Sequence, residues 1–117
     1  MVTKIRQETD VLVVGGGTAG IAAAIASGRA GARTLLVDRF PFLGGEAMTG
    51  LNIHGFHANN EDHIVKGIGW EIIERLMAMG MAEDMRFSDP VNPDKPLIQV
   101  RDIAIDREAI NYVVFEM

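Results

Sequence analysis

An α/β fold built on a parallel sheet is predicted by three observations in the first third of the chain. The apolar run Val11-Leu12-Val13-Val14 leads straight into Gly15-Gly16-Gly17. An alanine-rich stretch with helical character begins at Thr18. A second buried-type run, Arg33-Thr34-Leu35-Leu36-Val37, ends on an acid, Asp38. Strand, glycine turn, helix and strand in that order make a βαβ crossover, which brings its two strands side by side in parallel.

The turn carries a spacing with chemical meaning. Gly15, Gly17 and Gly20 fit G-x-G-x-x-G between a strand and a helix, the context the dinucleotide-binding fingerprint requires. Gly15 permits the tight turn, Gly17 lets the backbone approach a pyrophosphate, and Gly20 lets helix and strand pack closely. The helix N-terminus at Thr18 and Ala19 offers unpaired N–H groups and partial positive charge to phosphates. Helical character runs to about Ala30, and Gly31 stands where a left-handed cap ends a helix. Asp38 follows Gly20 by 18 positions, close to the offset of about 20 at which an acid grips ribose hydroxyls. Fingerprint, helix and acid together outweigh a glycine-rich loop beside an unrelated surface Asp.

Composition narrows the remaining classes. The chain has 117 residues, 48% of them hydrophobic, enough for one small globular domain, with no visible repeat. A formal net charge of −5 argues against a general nucleic-acid surface. There are no cysteines, so disulfides, Cys-zinc sites and thiol chemistry within these residues are excluded, which is compatible with the cytoplasm. Lys4 and Arg6 precede an apolar stretch, but Glu8, Asp10 and the glycine fingerprint interrupt it, so a signal peptide is rejected. The apolar runs fall far short of the roughly 20 residues that span a bilayer, and a soluble, cytoplasmic protein is expected.

After the second strand comes Arg39-Phe40-Pro41-Phe42-Leu43-Gly44-Gly45-Glu46-Ala47-Met48-Thr49-Gly50-Leu51. Lacking side chains, Gly44 and Gly45 can bring backbone N–H groups against a phosphate or ring, a second cradle suited to a long ligand; an ordinary flexible loop is the alternative. Here the chain resembles the FAD-dependent oxidoreductases of the two-dinucleotide-binding-domain flavoprotein type, in the branch related to fumarate reductase flavoprotein subunits. The order Asp38-Arg39, Gly44-Gly45, Ala47, Thr49-Gly50-Leu51 carries that resemblance, and 64–76 looks like the helix that follows in the family. The resemblance implies a Rossmann-like FAD-binding domain, incomplete within these residues. It also implies FAD as cofactor and a small-molecule substrate. The cofactor-binding residues it points to are Gly15, Gly16, Gly17, Thr18, Ala19, Gly20, Asp38, Arg39, Gly44, Gly45, Glu46 and Ala47. The family commonly has Glu where this chain has Asp38, one methylene shorter. Arg39 raises the alternative of an NADP 2′-phosphate site, but the acid directly before it would repel that phosphate. An NAD-dependent dehydrogenase and a non-catalytic nucleotide-binding or assembly subunit remain the rival readings.

The remaining elements follow in order. The βαβ unit covers 10–38 and the flavin-side loop 39–60. A core helix is expected over about 64–79, with Val65, Ile68, Ile72, Leu76 and Met79 on one face, a Glu71–Arg75 pair on the other and Gly80 as C-cap. Gly67 and Gly69 weaken its first turns or delay its start. Met77, Met79, Met81 and Met85 read as core filling in preference to a pocket lining. Residues 86–96, with Pro90, Pro93 and Pro96, read as a loop, and Leu97–Ile105 as one or two short strands. Asp106 is the N-cap of a final helix through Phe115, with no stop signal after it. The expectation is a chain completed by further polypeptide or a second subunit, with a homo-oligomer as one such form, and not active alone. Its apolar residues Ile110, Val113, Val114 and Phe115 would then be partly uncovered. His54, His57 and His63 are the only candidates for acid–base or metal chemistry. The His54-x-x-His57 spacing shares no obvious helical face or carboxylate partner, so no metal site is assigned. A FAD-tethering histidine motif is not matched either. Proton transfer near the flavin is open to His54 and His57, loop histidines without a role are the favoured reading, and no catalytic residue is named.

Overall fold

The computed structural model describes residues 7–50, 52–58, 62–86 and 101–117. Strand β1 (Val11–Val14) and strand β2 (Thr34–Val37) pair in parallel, from Val11 opposite Thr34 to Val14 opposite Val37. Helix α1 (Thr18–Arg29) crosses between them. Asp10 and Arg33 close the open end of the unit, with Arg33 Nη2 2.8 Å from Asp10 Oδ1. The helix stops at Arg29 because Gly31 takes φ +90°, where its N–H meets Gly28 O at 2.9 Å and Ala32 N–H meets Ser27 O at 3.2 Å. These two bonds form a Schellman cap.

Beyond β2 the expected loop is partly structured. Gly45–Thr49 forms a short 3₁₀ helix, and Ile53 pairs with Ile103 in an isolated antiparallel bridge. Helix α2 covers Ile68–Ala78, four residues shorter at its start than the spacing predicts. Gly67 has φ +81° and ψ −152°, which breaks helical continuity, and the N–H groups of Ile64 and Val65 instead donate to Phe56 O. The buried stripe is also rotated: Ile73 and Leu76 are the interior residues, whereas Val65 and Met79 are exposed. Gly80 closes α2 with the same Schellman pair, Gly80 N–H to Met77 O and Met81 N–H to Leu76 O at 2.9 and 2.8 Å.

Strands β3 (Ala82–Arg86) and β4 (Arg101–Ile105) form a separate antiparallel pair, with Asp84 opposite Ile103. This corrects one expectation, since residue 86 belongs to a strand and not to the loop; the expected strand is present at 101–105 and pairs with β3. The prolines at 90, 93 and 96, residues 97–100 and Leu51 lie outside the described residues. Helix α3 (Arg107–Glu116) starts at Asp106, whose carboxylate accepts the Glu108 N–H at 2.9 Å and the Ala109 N–H at 3.4 Å. Ile110, Val113 and Val114 are buried, contrary to the expectation that they would be uncovered; Phe115 and Tyr112 are exposed. The helix phase explains the difference, since positions 110, 113 and 114 share the face turned to α2.

The core gathers Ile21 of α1, Ala47 of the 3₁₀ helix, Phe56, Ile73 and Leu76 of α2, Ile103 of β4, and Ile110, Val113 and Val114 of α3. It joins the βαβ unit to the C-terminal elements and fixes the loop between them. Arg29 of α1 and Arg75 of α2 both grip Glu71, at 2.6 and 2.8 Å. The two guanidiniums, Arg29 foremost, hold the Glu71 carboxyl at about 2. Among the described residues no helix is long and apolar enough to cross a membrane.

Candidate functional site

The site is built where two glycine segments meet. Gly15 takes φ +107°, and its N–H donates to Val37 O at 2.8 Å, turning the chain back over the end of β2. A side chain at Gly20 would collide with Gly15 O, so this glycine lets α1 seat directly on the turn. Gly44 N–H donates to Gly16 O at 2.8 Å, and Gly17 and Gly44 form a parallel bridge. A β-carbon on Gly45 would lie 2.9 Å from Gly17 Cα, and one on Gly44 2.7 Å from Met48 Cγ. The second glycine pair is therefore zipped onto the first.

Gly17 is different. Nothing lies within 4 Å of where its β-carbon would stand, and its φ of −72° suits any residue. Its backbone faces open space at the N-terminus of α1, with no side chain capping the helix. Gly17 O accepts from Ile21 at 2.9 Å, and the N–H groups of Thr18, Ala19 and Gly20, having no earlier turn to bond, project into the same space. That arrangement suits an anion.

Asp38 stands at the end of β2 with both oxygens engaged by backbone. Oδ1 accepts the Phe40 N–H at 2.8 Å, and Oδ2 accepts the Gly16 N–H. Those N–H groups, Phe40 first and then Gly16, hold its carboxyl below the usual aspartate value. An ionised carboxylate has about four lone-pair sites, so two such bonds leave acceptor capacity for hydroxyls. Arg39 turns away to the Phe40 ring, 4.7 Å from its centroid, and Phe40 stacks on Phe42 at 5.6 Å.

A cleft of about 770 Å³ opens from this turn into the body of the chain. Thr18, Gly44, Glu46 and Ala47 form its end nearest the glycines, α1 and α2 supply an apolar wall with Ile21, Ile72 and Ile73, and His54 and Asp102 stand together on its lining. His54 Nδ1 is hydrogen-bonded to Asp102 Oδ1, which corrects the expectation that His54 lacks a carboxylate partner. The partner comes from β4, 48 residues away, carried in by the Ile53–Ile103 bridge. Asp102 is buried and His54 exposed. His57 and His63 lie elsewhere, with His63 packed on Trp70 at 3.8 Å between centroids and His57 5.3 Å from His63. Met77, Met79, Met81 and Met85 are not on the cleft; Met77 packs against the core, but Met79 and Met81 are exposed, so core filling fails for those two.

Sequence reading missed Asp102 and Asn111. Asn111 Oδ1 accepts the Leu43 N–H at 2.7 Å, tying α3 to the loop before Gly44. Asp102 does leave a local signal, an acid directly before the apolar Ile103-Ala104-Ile105, which must find a partner when buried. Asn111 leaves none, because its partner is 68 residues away.

The family described as FAD dependent oxidoreductase matches residues 10–117. A protein named probable fumarate reductase Ifc3, from Shewanella frigidimarina (strain NCIMB 400), is 34% identical over 83 residues, covering 68% of this chain. The chain spans 14% of the length of that relative. No solved structure matches significantly.

Proposed function

The chain belongs to the FAD-dependent oxidoreductase family, and on that premise we propose that it forms the FAD-binding portion of a flavoenzyme acting on a small-molecule substrate. FAD is the family's cofactor and supplies the redox chemistry when bound. The residues fit it. The open face at Gly17 and the N–H groups of Thr18, Ala19 and Gly20 receive the pyrophosphate. Asp38 accepts from the adenosine ribose through its remaining lone pairs, and the Gly44–Ala47 turn guides the far half of the cofactor towards the cleft. The observation that carries this reading is continuity: Gly44 is bonded to Gly16 on one side and lines the 770 Å³ cleft on the other. One extended ligand is served by both. Arg39 contributes by steadying Phe40 beside the ribose carboxylate.

The name of the similar protein, a probable fumarate reductase, supports a redox enzyme over a non-catalytic module. Leu12 and Val14 on β1, and Tyr112 and Phe115 on α3, are exposed apolar residues. We assign those surfaces to contacts with further polypeptide, within the same chain or in a second subunit. The test is the absorbance of the protein carrying this chain, purified and then titrated with FAD and with NADH. A stoichiometric flavin spectrum is expected. Tight binding of NADH with no uptake of FAD would overturn the assignment.

A further inference from the structure

We infer that His54 and Asp102 form a proton-transfer dyad serving whatever lies in the cleft, with His54 Nε2 as the atom that exchanges the proton. This rests on the proposed cofactor site and deepens it.

The two residues divide their surroundings unequally. The Asp102 side chain is 10% exposed and the His54 side chain 62%. A buried carboxylate needs a partner, whereas an exposed imidazole does not. The bond therefore orients the ring: the carboxylate accepts from Nδ1, Nδ1 carries the hydrogen, and Nε2 is left with its lone pair on the opposite edge. Joining the strands does not require this pair. Ile53 and Ile103 already exchange two backbone hydrogen bonds of 2.9 Å each, one residue away on both segments. What the side chains add is a fixed tautomer on the cleft lining.

The surroundings leave few competitors. Among the described residues lining the cleft, the titratable ones are His54, Asp102 of β4 and Glu46 of the 3₁₀ helix; α1, α2 and α3 contribute Thr18, glycine and apolar residues. The step is balanced within the dyad. An O–H or N–H bond of the bound group breaks, its electron pair stays on oxygen or nitrogen, and the proton forms a bond to Nε2. The resulting imidazolium keeps Nδ1–H on Asp102, which offsets its charge, and afterwards releases the Nε2 proton to water at its exposed edge. The reverse sequence donates a proton to the cleft.

The test uses the FAD-loaded protein, with dithionite as the reductant, so no substrate need be known. Flavin midpoint potential is measured against pH for wild type, His54→Gln and Asp102→Asn, alongside ¹⁵N NMR of the His54 ring in the oxidised and reduced states. A dependence of the wild-type potential on pH that is altered in both His54→Gln and Asp102→Asn is expected. The wild-type ring is expected to carry its hydrogen on Nδ1, with an Nε2 signal that shifts on reduction. If FAD binds normally but the three proteins give coincident plots and the Nε2 signal does not shift on reduction, the dyad is only a structural tether and this inference fails alone. If wild type takes up no FAD, the cofactor assignment falls and this inference with it. The NMR arm needs no variant, so a substitution that unfolds the protein does not remove the test.

Discussion

Substituting Gly17 and Gly20 separates what the glycine turn does for the fold from what it does for a ligand. A β-carbon at Gly17 meets nothing within 4 Å and the backbone is already at φ −72°, so Gly17→Val fits without strain. Its cost to stability is that of a poorer N-cap, about 1 kcal/mol. Its cost to binding is larger, because the isopropyl group fills the space in front of Thr18, Ala19 and Gly20. Hydrogen bonds to charged groups contribute about 1.5–3 kcal/mol each, so displacing a pyrophosphate from two of these N–H groups costs about 3–6 kcal/mol. That is about 10²–10⁴-fold in Kd. Gly20→Ala behaves in the opposite way. Its methyl group collides with Gly15 O, so the turn and α1 must separate, and overpacking of this kind costs about 1–3 kcal/mol before any ligand is added. The assay is flavin fluorescence titration paired with thermal melts with and without FAD. At a hundredfold excess over Kd, FAD adds about 2.7 kcal/mol to wild type by mass action. Gly17→Val is expected to melt near apo wild type and gain nothing from FAD. A folded Gly17→Val that binds FAD with unchanged affinity refutes the placement of the phosphates.

Other expectations follow from the same contacts. Asp38→Ala weakens FAD by about 1–3 kcal/mol, the cost of ribose hydroxyls left without an acceptor, and an unchanged Kd removes Asp38 from that role. Glu71 titrates at about 2 when folded and at 4.5 when free, so the unfolded chain binds more protons between those values and stability falls as pH drops through that window. Acid melts of wild type should therefore lose more between pH 5 and pH 2 than those of Glu71→Gln; parallel curves contradict the Arg29–Glu71–Arg75 linkage. Asn111→Ala strands the Leu43 N–H and is expected to lower both stability and FAD affinity, and an effect on neither shows the tether to be idle. The 117-residue chain purified by itself is expected to self-associate, since Val14 and Phe115 are 77% and 73% exposed. Sedimentation as a monodisperse, cooperatively melting monomer that retains FAD contradicts this.

The βαβ unit was legible because its determinants are local. Gly15 and Gly31 take the positive φ that their neighbours imply, and Val11–Val14 and the Leu35–Val37 part of β2 are apolar throughout. Asp106 likewise signals its own helix. The β3–β4 pair was not legible. Ala82-Glu83-Asp84-Met85-Arg86 holds no β-branched or aromatic residue, and its strand conformation depends on a partner that begins at Arg101. The start of α2 was left between two positions because Ile64 and Val65 continue the apolar spacing, and of the two the later start signalled by Gly67 is the one the structure adopts. In the candidate site, Gly15, Gly17, Gly20 and Asp38 were readable as residue types at fixed offsets, and the 44–47 segment through its glycine pair and the family resemblance. The His54–Asp102 bond was not, since no offset rule links positions 48 apart.

The Asn111 tether has a consequence in time. The segment leading into Gly44 is held by an amide that the ribosome adds 68 residues after Leu43. Until α3 docks, Leu43 N–H has no such anchor, and the turn that bears Gly44 and Gly45 lacks one of its supports. Completion of this turn therefore waits for the docking of α3 and does not follow from the closure of the βαβ unit alone. A nascent chain arrested before α3 should show a formed crossover and weak affinity for flavin.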